Sequence, residues 1–264
     1  MSDKVSIIMP NYNSASFLEE TISSVIEQTY GDWELLIVDD CSTDGSVEII
    51  EKFRSQDDRI HLTVNDENRG AAFSRNVALG QASGKWVAFL DSDDVWLPEK
   101  LDKQIAFMED NGYDFSYGYC ELMDENSAAL GKLVIGPKKI TKRKMFRYNY
   151  LTCLTVMYNR ETIGDIRIEE AIGNGRNDYA LWLKVSRKSV CYLLPELLAK
   201  YRMRTQSLSH GHFFKLIKYH YELFRISEQM GKLRAFYHTA VNMFFGFWKK
   251  LIYTKALSNR ETSK

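Results

Sequence analysis

Trp86-Val87-Ala88-Phe89-Leu90-Asp91-Ser92-Asp93-Asp94 is the stretch on which the fold turns. Five consecutive apolar residues are the pattern of a strand buried on both faces, as in a parallel sheet covered by helices. The run stops abruptly on three carboxylates within four positions. Ligands of open α/β sheets bind outside the carboxyl ends of the strands, so this is where chemistry is expected. Two upstream runs share the design. Val5-Ser6-Ile7-Ile8-Met9 is closed by Pro10-Asn11-Tyr12-Asn13, and Trp33-Glu34-Leu35-Leu36-Ile37-Val38 ends on Asp39-Asp40.

Helical patterns separate these strands, which predicts an α/β fold with helices on both faces of a mainly parallel, Rossmann-like sheet. Phe17, Leu18, Thr21, Ile22, Val25 and Ile26 recur at helical spacing behind Ser16 as a cap, with Glu19 three residues on. Asp44 opens a second helix through Val47, Ile49, Ile50 and Phe53, and Ile60-His61-Leu62-Thr63-Val64 makes a third strand. A small-residue helix over 71–82 follows Asn68-Arg69-Gly70, and Pro98 suits the first turn of a helix carrying Leu101, Ile105 and Met108. From Tyr113 the pattern predicts added mixed strands over 115–123 and 151–158, then a helix over 177–188 and a helical tail to about residue 254. The economical division is one domain over 1–205, its halves over about 1–97 and about 98–205, followed by a helical appendage over 206–264.

The 264 residues carry 35 Lys+Arg, 35 Asp+Glu and 45% hydrophobic residues, an ordinary globular composition. The balance is uneven: residues 205–264 hold ten basic and three acidic side chains, leaving 25 basic and 32 acidic in the body. An acidic body without an RNA- or DNA-binding motif argues against a nucleic-acid partner. Cys41, Cys120, Cys153 and Cys191 stand far apart with no paired spacing, so they read as reduced thiols. The first apolar run is too short for a signal peptide, and no uncharged run reaches the roughly 18 residues of a spanning helix. A cytoplasmic protein is expected.

An extended Asp91-Ser92-Asp93 puts two carboxylates on one side of the chain, where they can hold a hard divalent cation such as Mg or Mn. Such a cation neutralises the charge that builds on a departing diphosphate. The same residue types also suit a plain turn, and Asp39, Asp40 and Asp44 suit turns and caps. With neither G-x-G-x-x-G after the first strand nor G-x-x-x-x-G-K-[ST] anywhere, the dinucleotide and P-loop readings lose their support.

Five motifs in order, Val5 to Asn13, Leu36-Ile37-Val38-Asp39-Asp40 with Ser42-Thr43-Asp44-Gly45-Ser46, Asn68-Arg69-Gly70, Ser74-Arg75-Asn76 and Phe89 to Asp94, resemble the family 2 glycosyltransferases of the GT-A fold over residues 4–205. The likeness is strongest to bacterial members that build capsule, O-antigen or teichuronic-type polysaccharides. It implies inverting transfer from a nucleotide sugar, most often a UDP-sugar, aided by Mg or Mn. By position, Pro10, Tyr12, Asn13 and Asp39 would surround the base and ribose, and Asn68, Gly70 and Arg75 would line the nucleotide. Asp91, Ser92 and Asp93 would face the ribose, diphosphate and metal, with Asp93 the principal ligand beside Asp91. Asp94 would support them or reach the donor sugar.

The family's base precedes a Trp-bearing helix, which selects Asp178 in Asn177-Asp178-Tyr179-Ala180-Leu181-Trp182, where many members have Glu-Asp; plain helix capping is the alternative. Tyr201 to Ser209 resembles the closing loop, with Arg204 where a histidine often stands. Arg204 cannot ligate a metal but could clamp the diphosphate; His210 and His212 lie near enough to substitute as ligands, and Arg202 and Arg204 also read as surface charge.

In the tail, aromatic and aliphatic faces are bordered by Lys215, Lys218, Lys232, Arg234, Lys249 and Lys250. They suit either a peripheral contact with the cytoplasmic face of the inner membrane or packing on the catalytic domain or a second copy. Acceptors of similar bacterial enzymes are sugars on a polyprenyl diphosphate, and the basic stretch 138–147 could meet such an anion or be a solvated helix start. Competing readings are an inactive nucleotide-sugar-binding or scaffolding protein, and a sugar nucleotidyltransferase, for which a glycine-rich basic loop after the first strand is missing.

Overall fold

In the computed structural model, which describes residues 3–175, 177–204 and 213–256, one mixed sheet runs through the molecule. Its first half is β1 (Val5–Asn11), α1 (Ala15–Ile26), β2 (Trp33–Asp39), α2 (Ser46–Arg54), β3 (Ile60–Val64), α3 (Ala71–Gln81) and β4 (Trp86–Phe89). These strands lie parallel in the spatial order β4-β1-β2-β3, so Asn11, Asp39 and the residues after Phe89 emerge at one edge. Alternation within β1 divides the core: Val5, Ile7 and Met9 join one buried cluster with α1, and Ile8 joins the other with α3. Strands covered on both faces in this way need continuous apolar runs.

The second half adds β5 (Val95–Trp96), α4 (Lys100–Asn111), β6 (Phe115–Met123), β7 (Ala129–Val134), β8 (Lys139–Ile140), α5 (Lys142–Arg147), β9 (Met157–Asn159), α6 (Arg160–Ile163), α7 (Asn177–Val185) and β10 (Cys191–Arg202). The strand expected over 151–158 is a correction: only β9 is extended. Carbonyls just before it are taken by side chains, Leu154 O by Trp96 Nε1 at 2.8 Å and Thr155 O by Gln104 Nε2 at 2.9 Å, leaving no ladder there. The capping residue is also corrected: α1 starts after Ser14, whose side chain makes no cap bond, and Asp44 Oδ2 accepts from the Ala15 N–H at 2.9 Å. β10 runs parallel to β6 rather than extending a meander.

The tail forms α8 (Phe213–Glu222), a π-helical turn over Leu223–Ser227, α9 (Lys232–Ile252) and β11 (Thr254–Ala256), which pairs antiparallel with β7. Leu223, Phe224, Met230 and Ala235 are buried in the same cluster as Tyr179, Trp182 and Phe89. The inner side of the tail is thus part of the core. Its outer side is not: Leu233, Phe236, Tyr237, Phe244, Phe247 and Trp248 of α9 are exposed. Among the described residues, no helix is long and apolar enough to cross a membrane, and the four cysteines are free.

A buried polar knot holds the edge of the sheet opposite the candidate site. Glu34 Oε1 accepts from Ser6 Oγ at 2.6 Å and from Ser83 N–H at 2.8 Å, Oε2 from Lys4 Nζ at 3.1 Å, while Gly84 N–H donates to Ser6 Oγ at 2.8 Å. Gly84 is required by contact, since a Cβ there would lie 2.3 Å from the Lys4 carbonyl oxygen. Burial acts to raise the Glu34 carboxyl, but the bonds from Ser6, Ser83 and Lys4 outweigh it and pull it down to about 2 from 4.5. A carboxylate lowered by folding contributes stability above its unfolded value and loses it as pH falls towards its folded one. Glu34→Gln should therefore destabilise the protein at pH 7 by about 1–3 kcal/mol in urea unfolding. The gap to the parent should close as pH drops from 4.5 towards 2, and a gap independent of pH would contradict this account.

Candidate active site

The residues at the exit edge interlock. Asn11 and Asp39 are register partners, and Asn11 Nδ2 donates to Asp39 Oδ2 at 2.6 Å while Ser42 N–H donates to Oδ1 at 2.8 Å. Asp39 is fully buried, so any role in binding is exercised from beneath the surface. Asn13 adopts φ 47°, accepts the Thr43 N–H on Oδ1 at 2.8 Å, and donates its own N–H to Ser42 Oγ at 2.9 Å. Pro10 is buried at the end of β1, whereas Tyr12 is 48% exposed and offers its ring at the mouth of the site.

Asp40 has a part that its position in a tandem of acids did not disclose. Its carboxylate accepts from Asn65 Nδ2 at 2.8 Å, Arg69 N–H at 3.0 Å and Gly70 N–H at 2.6 Å, shaping the loop that carries Asn68, which is exposed. Gly70 stands at φ 86°, a left-handed value glycine takes without strain, and from there α3 begins.

Arg75, on α3, is nearly buried and ion-paired with Asp91. Burial works against its charge, but Asp91 and, less strongly, Cys153 and Asp178 act to raise its pKa. The guanidinium is therefore held by Asp91, after β4, while Asp178, on the first turn of α7, acts on it only through its charge. Its Nε, buried, has no hydrogen-bond partner among the described residues. Asp178 is half-buried and accepts from Asn149 Nδ2 at 3.2 Å. A contact with Asp91 rather than a free nucleotide-facing position is the structural setting of Arg75.

The Asp-rich turn splits into inward and outward members. Ser92 turns in, its hydroxyl donating to Ser14 Oγ at 3.0 Å. Asp94 is buried: Oδ1 accepts the Arg202 N–H at 2.8 Å, and desolvation together with Asp93 and Asp91 pushes it well above the carboxylate range. It supports the turn through that bond. Arg202 is not surface charge; its buried side chain donates from Nε to the Asp93 carbonyl at 2.7 Å and pairs with Glu20. Asp93 is partly exposed, with Oδ2 3.2 Å from Arg204 Nη1, and desolvation and then the charge of Asp91 raise its pKa.

Could these residues hold a divalent cation? The donor set is two hard carboxylates, the kind Mg or Mn takes. Each is drawn to an arginine, and Asp93 still has its charge disfavoured, the condition a further cation would relieve. Among the described residues, no cage of three or more acidic, histidine or cysteine groups forms, so the remaining positions would belong to substrate phosphates and water. The pair fits a cation shared with a ligand. His210 and His212 lie outside the described residues.

The family model described as Glycosyl transferase family 2 matches residues 6–162. The putative teichuronic acid biosynthesis glycosyltransferase TuaG of Bacillus subtilis (strain 168) is 38% identical over 88% of this chain and 91% of its own length. An Escherichia coli protein described as UDP-Glc:alpha-D-GlcNAc-diphosphoundecaprenol beta-1,3-glucosyltransferase WfgD is 39% identical, over 80% of this chain and 82% of that one. Among solved structures, S. aureus TarS 1–349 in complex with UDP-GlcNAc superposes with a TM-score of 0.71 at 23% identity, covering 92% of this chain and 75% of the other, a likeness of fold.

Proposed function

Since the chain belongs to glycosyl transferase family 2, we propose that it moves a sugar from a UDP-sugar, with inversion, to a hydroxyl of a lipid-linked glycan in bacterial surface-polysaccharide synthesis. The observation that carries this reading is the single sheet edge at which Asn11, Asp39 and the turn of Asp91 and Asp93 emerge, with Arg75 of α3 paired to Asp91 and Arg204 to Asp93.

The roles follow from position. Tyr12 lies against the base, Pro10 and Asn13 shape its slot, and Asp39, fixed by Asn11, holds the ribose side from below. Asn68 and Gly70 border the nucleotide. Asp91 and Asp93 hold Mn or Mg, which when bound offsets the charge growing on the leaving diphosphate. Arg204 adds a guanidinium on the same side. Asp178, its carboxylate oriented by Asn149, takes the proton of the acceptor hydroxyl as that oxygen bonds to the anomeric carbon and the bond from that carbon to the diphosphate oxygen breaks. Arg75 holds Asp91 in place through their ion pair. Residues 1–97 serve the donor and 98–205 the acceptor. The apolar outer side of α9 and its lysines rest against the cytoplasmic face of the inner membrane, where a polyprenyl-diphosphate acceptor resides.

A thermal-shift panel of UDP-, GDP-, dTDP- and CMP-sugars, each with and without Mn, tests the donor. At a hundred times Kd a ligand adds about 2.7 kcal/mol, so a rise of roughly 5 °C is expected for a UDP-sugar with Mn. A response confined to a different nucleotide would move the donor assignment, and no response to any would favour the scaffolding reading.

A further inference from the structure

A groove of about 320 Å³ opens between α9 and the loop after α5, walled by Tyr150, Phe244, Phe245, Trp248 and Ile252, with Lys249 at its side. Three of these large apolar side chains, Phe244, Trp248 and Ile252, are 59%, 46% and 47% exposed, in contrast with the buried face of the same helix. The tyrosine wall is rigid: the Tyr150 ring stands edge-on to Tyr148 and Tyr253 with centroids 5.6 and 5.7 Å apart.

The charge around the opening has one sign. α9 contains no Asp or Glu, Lys249 lines the groove, and the Arg147 guanidinium of α5 lies 5.7 Å from the centre of the Phe245 ring. An apolar slot with Lys249 and Arg147 at its side is complementary to an amphiphile with an apolar chain and an anionic head. The groove also has a defined relation to the chemistry. Lys249 Nζ donates to the Asn149 carbonyl at 3.3 Å, and Asn149 Nδ2 donates to Asp178 Oδ2 at 3.2 Å. One residue therefore links the cation of the groove to the proposed base.

We propose that this groove is the acceptor's lipid subsite: the first units of its alkyl chain lie between Tyr150 and Trp248, its phosphate meets Lys249, and the sugar bonded directly to that phosphate presents its hydroxyl to Asp178. The proposal rests on the acceptor being lipid-linked, as argued above. It adds that the receiving sugar is the one next to the phosphate, because a single residue, Asn149, bonds both to Lys249 and to Asp178. The reaction that supplies this substrate must be transfer of a sugar phosphate to a lipid phosphate.

Exposed Trp248 and half-buried Lys249 permit a test without unfolding the core. Trp248→Ala removes the outer wall, and Lys249→Gln removes the charge while keeping a donor for the Asn149 carbonyl. Calorimetric titration of the full chain with farnesyl diphosphate, which needs neither donor nor turnover, should show binding that each change weakens about tenfold, with Lys249→Gln leaving farnesol binding unaltered. In transfer assays the same variants should raise KM for an alkyl-diphosphate-linked sugar by a similar factor with kcat retained, and leave KM for that sugar as a water-soluble glycoside in place. Binding of farnesyl diphosphate with the expected variant losses, but no transfer to any diphosphate-linked sugar, would uphold the groove and overturn the acceptor reading. No binding by the parent protein, or equal binding by the variants, would overturn the groove. So would a dimer that Trp248→Ala disperses without effect on farnesyl diphosphate, since the face would then belong to a second copy.

Discussion

Asp178→Asn should abolish transfer, lowering kcat by about 10²–10⁴-fold, while a UDP-sugar with Mn still raises the melting temperature as in the parent protein. The substitution isolates the proton. An asparagine oxygen can still accept from Asn149 Nδ2, and Asn is as good as Asp in local bonding at a helix start, so the helix-capping alternative predicts a protein of nearly unchanged activity. Loss of the first-turn charge of α7 costs about 0.3–1 kcal/mol of stability at most, too little to remove the fold. Arg75 keeps Asp91 as its partner in the variant, so the donor side is not disturbed. Near-normal turnover would take Asp178 out of the base role. Loss of donor binding along with turnover would show that its charge serves the nucleotide side through Arg75.

The parallel half was legible because three of its strands are buried on both faces and must be continuously apolar; Val5–Asn11, Trp33–Asp39 and Trp86–Phe89 appear where the runs predict them, and Ile60–Val64, buried only at Ile60, follows at the edge. β10 was not legible. Pro195 and Glu196 interrupt its pattern, and its pairing to β6 shifts register between Leu193 and Leu197 and again before Ala199, so no period of two survives in the sequence. The region 151–156 failed in the opposite sense, since aromatic and β-branched composition records fit to a packed surface and not which groups claim the backbone carbonyls. At the site, strand ends and the Asp-rich turn could be read, because polar residues after an apolar run stand out. What could not be read is how charges at a distance in sequence partner: Arg202 sinking under Asp93 and Asp94, Arg75 joining Asp91 across α3, and Asp40 clasping the amides of Arg69 and Gly70. These pairings are set by tertiary distance, for which no local period exists. The tail illustrates the same limit: its two readings, core packing and an apolar outer face, each describe one side of α9.

Asp93→Ala should reduce kcat/KM on the order of a hundredfold or more and remove the Mn-dependent part of the thermal shift given by a UDP-sugar. The reasoning separates two functions of one carboxylate. As the partner of Arg204, at 3.2 Å and with both side chains partly exposed, Asp93 contributes little to stability. As a neighbour of Asp91 and Asp94 in a desolvated turn, it carries a charge that the fold disfavours, and its removal lightens the repulsion on both. The variant without ligand should thus melt at or above the temperature of the parent protein, the pattern of a residue kept for function at the expense of stability. If Asp93 were an ordinary turn residue anchoring Arg204, the opposite would be seen: a lowered melting temperature and a Mn response equal to the parent's. A variant that loses nucleotide binding in the absence of Mn as well would assign Asp93 to direct contact with the donor rather than to the cation.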